Sequence, residues 1–327
     1  MRFYRYLTCG GAVVTMFVVA AVSAAAAEAP LRWKFTKGEV IDYVMLRGVE
    51  GKMNLMGADI NFKMNLTFDV NWKVESVASD GTGQLELVVE RVQVAMDSPL
   101  GGSLTYDSKQ PGELTGPAAA MMGPVIKGML GQPFHFKISP LGAVSDIELP
   151  EKLAASFKKE QSQNRQQGFG MGGSGFSERG LKELIAKSVL PLPEAAPGKE
   201  VTWKQHFENP IMRAGTQATD ITFSFAGNET QDGKPLAKIA ATTEMTFEPD
   251  ENPMADVEIT SQEGSSTFYF DPAAGRMVKS DGVQKFVFEI SGAREMTQDI
   301  KETWNMHIGK SPEAKASEPA KTVPAAK

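Results

Sequence analysis

Between residues 60 and 75 the chain alternates apolar and polar side chains without interruption. Ile60, Phe62, Met64, Leu66, Phe68, Val70, Trp72 and Val74 share one parity, and Asn61, Lys63, Asn65, Thr67, Asp69, Asn71, Lys73 and Glu75 the other. Successive side chains of a strand point to opposite faces, so this pattern gathers every apolar group on one side. A helix would scatter the same groups around its surface. At about 3.4 Å per residue the strand would run roughly 50 Å, far beyond the usual five or six residues. Long half-buried strands belong to large curved antiparallel sheets that wrap one face around a core or a ligand. The expected class is therefore mainly β, half-barrel-like or two-lobed, with two to three helices in the middle of the chain.

The N-terminus reads as an export signal. Arg2 and Arg5 precede an uncharged apolar run from Gly10 to Val22, followed by Ser23 and the alanines 24–27. Cleavage near Ala25–Ala27 would place the mature chain in the periplasm or outside the cell; a retained N-terminal anchor is the alternative. Cys9 lacks the upstream apolar residue that a lipoprotein signal needs, and it is the single cysteine. The mature chain thus has no disulfide, thiolate ligand or cysteine nucleophile. Without Arg2 and Arg5, 32 basic residues face 40 acidic ones, a net of −8. An acidic chain with no basic cluster in its body is a poor nucleic-acid binder.

Past the signal (1–27), a β-rich half (28–149) and a second one (197–309) flank a helical segment with a glycine-rich loop (150–196). Residues 310–327, rich in lysine, proline and alanine, read as a disordered tail. Strands are expected near 31–36, 39–49, 60–75, 84–96 and 102–106. The fourth changes phase between Val89 and Val92, which one extra residue around Glu90–Arg91 would repair as a β-bulge. Residues 133–139 and 142–148 form a hairpin across Ser139-Pro140-Leu141-Gly142. In the second half, alternation recurs around Trp203, Phe223, Ile239–Phe247, Phe268, Phe286–Ile290 and Met296–Ile308. Asp271–Gly275 and Ser280-Asp281-Gly282 read as turns. A faint echo between Leu66-Thr67-Phe68 and Ile221-Thr222-Phe223 leaves duplication open.

Residues 116–130 place Met121, Met122, Val125, Ile126, Met129 and Leu130 in an apolar helix with a single charge, Lys127. Pro117 suits its first turn, and Pro124 should kink or split it. Helices are also expected near 150–163 and from Ser177, a cap, to about Val189; residues 168–176 between them read as a loop.

Chemical motifs are scarce. Gly172-Gly173-Ser174-Gly175-Phe176 fails the serine-hydrolase elbow at its last position. There is no phosphate-binding loop, no His-Glu-x-x-His and no dinucleotide fingerprint. His135, His206 and His307 are the three histidines, each on the polar parity of its strand, which nominates no metal set. Methionines number 17, but Met64, Met245, Met296 and Met306 sit in the apolar stripes, where they fill gaps rather than bind copper. No pair of carboxylates is nominated for glycoside hydrolysis. The chain is expected to be non-catalytic and to need no cofactor.

Several strings resemble a family of exported bacterial β-rich proteins of unknown function. They are Phe35-Thr36-Lys37-Gly38-Glu39 leading to Tyr43, then Phe134 to Gly142, Leu190 to Pro193, Pro197 to Trp203, and Phe268 to Asp271 before Gly275-Arg276. They span most of the mature chain in order. The resemblance implies a β-rich fold and supplies no catalytic residues. A looser similarity, at the level of fold, is to periplasmic lipoprotein carriers, whose half-open barrels hold acyl chains beneath helices.

The resulting expectation is an exported protein whose curved sheet binds a lipid or other apolar ligand, with residues 117–130 as a lid. The candidate residues are Met121, Met122, Val125, Ile126, Met129 and Leu130. The alternative is an envelope protein-interaction or structural protein with no small ligand. An outer-membrane β-barrel fits less well, given the helical middle and the polar tail. A hydrolase with an unrecognised site would have no residue to name.

Overall fold

The computed structural model describes residues 29–312 apart from 56, 100–101, 111, 113, 163–176, 199–200, 212–213 and 293–294. The signal segment, the glycine-rich loop and all of the tail beyond Pro312 lie outside the described residues. The first β-rich half contains β1 (Val40–Leu55), β2 (Ala58–Val77), β3 (Gly83–Ser98), β4 (Gly102–Asp107), α1 (Pro117–Met129), β5 (Pro133–Ile138) and β6 (Val144–Glu148). Then come α2 (Glu151–Ser162) and α3 (Glu178–Ser188), followed by β7 (Thr202–Ile211), β8 (Gly215–Gln231), β9 (Lys234–Pro249), β10 (Ala255–Asp271), β11 (Arg276–Gly292) and β12 (Met296–Ile308).

All twelve strands form one antiparallel sheet, ordered β6-β5-β3-β2-β1-β12-β11-β10-β9-β8-β7 with β4 on the far end of β3. Two meanders are joined where the first strand meets the last, from Tyr43 opposite Ile308 to Leu55 opposite Met296. The halves therefore make one continuous sheet rather than two lobes. Its outermost strands, β6 and β7, are not paired with each other, so it is open.

The alternation of β2 sets which face is apolar. Register carries that face across the sheet: Tyr43 lies opposite Val70, Met45 opposite Phe68 and Met306, and Ser280 opposite Met306 and Phe268. The phase change in β3 is a bulge, because Asp69 pairs with Arg91 and Val70 with Val89, leaving Glu90 as the extra residue. The hairpin turn at Ser139–Gly142 closes with the Gly142 amide donating to Ser139 O at 2.8 Å, and Gly142 takes φ 79°. At the Asp232-Gly233 hairpin both residues have positive φ, 49° and 75°, as a two-residue primed turn requires.

Three local expectations differ from the structure. Residues 31–36 are not a strand. They plug one end of the sheet, with the Trp33 amide donating to Pro140 O and the Lys34 amide to Gly275 O, both at 2.9 Å. Ser280-Asp281-Gly282 is not a turn but lies in mid-β11. A Cβ at Gly282 would come within 2.1 Å of the Trp304 ring, so the glycine makes room for an indole laid across the strand. Helix α1 is not split at Pro124, which lies inside it.

The core sits on the concave face, under the helices. Tyr43, Trp72 and Phe136 are at most 1% exposed, with ring centroids 5.0 Å (Tyr43–Trp72) and 5.6 Å (Trp72–Phe136) apart. Burial pushes the Tyr43 phenol far above its ordinary range, and its hydroxyl donates to Met277 O at 2.9 Å. Helix α3 starts at Ser177, whose side chain accepts from the Gly180 amide. It lies across the concavity, with Leu181 and Ile185 in the core and Lys187 Nζ 4.9 Å from the Phe207 ring of β7.

Candidate functional site

The concave face changes character along the strands. Rows through Tyr43, Trp72 and Phe136 are fully covered. Further along, Arg47 bonds Glu302 at 3.1 Å, and Gln284 stands opposite Glu302. Nε2 of Gln284 is buried with no hydrogen-bond partner among the described residues. Beyond this polar belt the face turns apolar again, with Val49, Met245, Phe286 and Ile300 buried and Phe62, Met64, Ile259 and Phe288 packed against them.

A cavity of about 110 Å³ lies between the covered rows and the belt, several times the space one water needs. Met45, Leu66, Phe68, Val70, Leu87 and Val89 form its floor, from β1, β2 and β3. Leu181, Leu184, Ile185 and Ser188 of α3 form its roof, with Phe134 and Met129 at the side. Its lining reaches Val49, Met64 and the Arg47–Glu302 pair toward the uncovered rows. Apart from that pair and Ser188 the lining is apolar, made of aliphatic and thioether side chains with the rings of Phe68 and Phe134, so the space suits an alkyl chain with a polar group at the belt. Among the described residues, no histidine or cysteine lines it.

Of the candidates in α1, only Met129 lines this cavity. Met122, Val125 and Ile126 are 1%, 4% and 1% exposed in the core, and half-buried Leu130 bridges to Val89. The Met121 side chain lies outside the described residues. The α3 roof and the Arg47–Glu302 pair escaped the sequence reading. Leu181, Leu184, Ile185 and Ser188 do share one helical face at i, i+3, i+4 and i+7 spacing, but periodicity names a face without naming what it covers.

The sheet also carries a seam. β8 pairs with β9 from Gly215 to Gln231, and β10 with β11 from Ala255 to Asp271. The ladder between β9 and β10, however, stops at Thr242 opposite Ser265. Past that point Gln262 spans the gap: Met245 N donates to its Oε1 at 2.7 Å, and its Nε2 donates to Met245 O at 2.9 Å. One side-chain amide thus stands in for the missing ladder.

A model of a family of unknown function, DUF6263, matches residues 80–290. The chain belongs to DUF6263. This agrees with the resemblance carried by the ordered strings, and the matched span holds all three helices, β3 and the seam. No curated protein matches the chain. Among solved structures, this DUF6263 chain is similar to one of lipovitellin concerned with its lipid–protein interactions, at 11% identity and TM-score 0.41. That match covers 86% of this chain and 26% of lipovitellin, so the chain spans about a quarter of that protein's length. A protein from Bacteroides fragilis described as exported, with a YmcC-like fold, matches at 9% identity and TM-score 0.21, covering 86% and 100% of the two chains. A DUF1329 protein from Desulfovibrio piger matches at 9% identity and TM-score 0.16, covering 83% and 87%. None of the three is close enough to transfer a role. Among the described residues no helix is long and apolar enough to cross a membrane.

Proposed function

We propose that this DUF6263 protein is exported and non-catalytic, and that it holds a lipid or other molecule with an alkyl chain in the concavity of its sheet. The observation that carries this reading is the apolar cavity under α3, bordered by the half-buried Arg47–Glu302 pair. An alkyl chain fits the lining, and the arginine with the free Gln284 amide suits a polar headgroup at the belt. The basic start and apolar run of residues 1–27 support export. Helix α3 takes the place of the lid, with Met129 of α1 beside it in the lining.

Native mass spectrometry with lipid extraction, on mature protein purified without detergent, tests this. A stoichiometric lipid, lost in Leu184→Asp, is the expected result; Leu184 is only half-buried, so the fold should tolerate the change. A clean apo mass after incubation with envelope lipids, or equal uptake by the variant, would overturn it. A second reading, docking of an envelope protein along a strand edge, is favoured by the seam, where residues 255–264 of β10 have no ladder to β9.

A further inference from the structure

On the convex face, away from the cavity, three side chains from three adjacent strands converge. Glu86 of β3 lies directly opposite His135 of β5. Glu75 of β2 reaches the same point through a second bulge: Val74 pairs with Leu85 and Ser76 with Gln84, so Glu75 is the extra residue. One ligand atom from each lies within 4.8 Å of the others. His135 Nδ1 and Glu75 Oε2 are 3.3 Å apart. That is roughly the edge of a tetrahedron whose metal–ligand bonds are about 2.0–2.1 Å. All three side chains are between 25% and 34% exposed, open enough for an ion to enter yet backed by the core strands.

We propose that Glu75, Glu86 and His135 form a binding site for a divalent transition metal of the zinc class. One imidazole and two carboxylates are a nitrogen–oxygen set suited to Zn²⁺, and three protein ligands leave a fourth position for water. The bulge gives a physical reason for the convergence, since a regular ladder would hold Glu75 one register step further off, opposite Gln84. Register also places Glu148 of β6 opposite His135, a further carboxylate on the same row. Lys73, whose Nζ is 3.8 Å from Glu86 Oε1, is the competing cation and would swing aside.

Among the described residues, the His206 cluster is arranged differently. Both of its ring nitrogens face carboxylates, Nδ1 to Asp220 at 2.8 Å and Nε2 to Glu208 at 3.3 Å. Those hydrogen bonds raise its pKa and favour the imidazolium, which has no lone pair to offer. At His135 both carboxylates instead gather toward one nitrogen. A metal there would tie β5, and with it the β5–β6 hairpin, to β2 and β3.

The test is a zinc titration of the metal-stripped mature protein against a chromogenic chelator. One equivalent is expected to bind, with affinity reduced at least about tenfold in His135→Gln and in Glu86→Gln separately, and unchanged in His206→Gln. Cobalt substituted for zinc should give the visible absorption of a four-coordinate site, lost in both variants. Both variants alter convex-face positions, and circular dichroism would verify that each stays folded. No zinc retained against the chelator, or equal retention by His135→Gln, would overturn the site.

Discussion

The two ends of the concave face are built from the same alternating strands, yet they are closed in different ways. At the covered end, Trp72 and Phe136 are held beneath α1, α3 and the segment through Leu190, whose carbonyl accepts from Trp33 Nε1. Behind that end, on the convex face, Arg91 is 5% exposed and binds Asp107 through Nε and Nη2 at 2.9 and 2.6 Å. Arg91 also donates to Pro312 O, so the chain's last described residues are pinned there, and Ser311 donates to Asp69. At the uncovered end, the cluster of Val49, Met245, Phe286 and Ile300 contains no helical residue, and the ladder beside it is broken. One end is locked from both faces; the other is closed by the curl of the sheet and one glutamine. Under the proposed reading, this asymmetry would give a rigid floor to shape the site and a softer end through which a ligand could pass.

The largest effect that could break this comparison is a cavity made at each end. Phe136→Ala should cost about 3–5 kcal/mol, since Phe136 is fully buried against Trp72 and rigid neighbours cannot fill the hole. Phe286→Ala should cost less, on the order of 2 kcal/mol, because the seam lets the sheet close over the gap. Urea unfolding of both variants measures the difference, and equal losses would mean the two ends are equally rigid.

Much of this architecture was legible in local pattern. Alternation marked β2, the change of parity between Val89 and Val92 marked the Glu90 bulge, and Ser177 marked the start of α3. What was not legible depends on partners far away in sequence. The β1–β12 ladder that unites the two halves joins Tyr43 to Ile308, and nothing in either strand names the other. Gly282 has the composition of a turn because a glycine that clears an indole and a glycine that turns a chain look alike. Residues 116–130 read as an apolar helix and a lid, but the period could not tell a lid from a helix whose Met122, Val125 and Ile126 lie in the core. Glu75 and His135 meet across β3 and a bulge, a juxtaposition that no spacing along the chain encodes.

The second comparison uses acid. Hydrogen bonds from Arg91, with smaller contributions from the Lys109 amide and Gln93, hold the Asp107 carboxyl down to about 2. A depressed carboxylate contributes stability that is present above its unfolded pKa, near 4, and lost as the pH falls toward 2. The shift corresponds to about 2 kcal/mol. Wild type should therefore lose about that much more stability than Asp107→Asn between pH 4 and pH 2, with the loosening centred on β3, β4 and the tail contact. If the two lose stability in parallel, Arg91 and Asp107 do not lock the covered end.

The smallest expected effect is the most specific to the uncovered end. Gln262→Ala removes both hydrogen bonds to the Met245 backbone. Because water can replace them at a partly exposed seam, the global cost should be only about 1 kcal/mol. The local consequence should be confined to the seam. With no ladder between β9 and β10 past Thr242, the two Gln262 bonds are the hydrogen bonds seen, among the described residues, between the backbone of residues 243–249 and β10. Amide hydrogen exchange in that stretch should speed up by about fivefold, the change that 1 kcal/mol of opening free energy allows, while exchange around Trp72 and Phe136 stays unchanged. Faster exchange confined to the seam would show that it opens independently of the covered end, whereas a uniform change across the sheet would show that the molecule opens as one unit and that the seam is no gate.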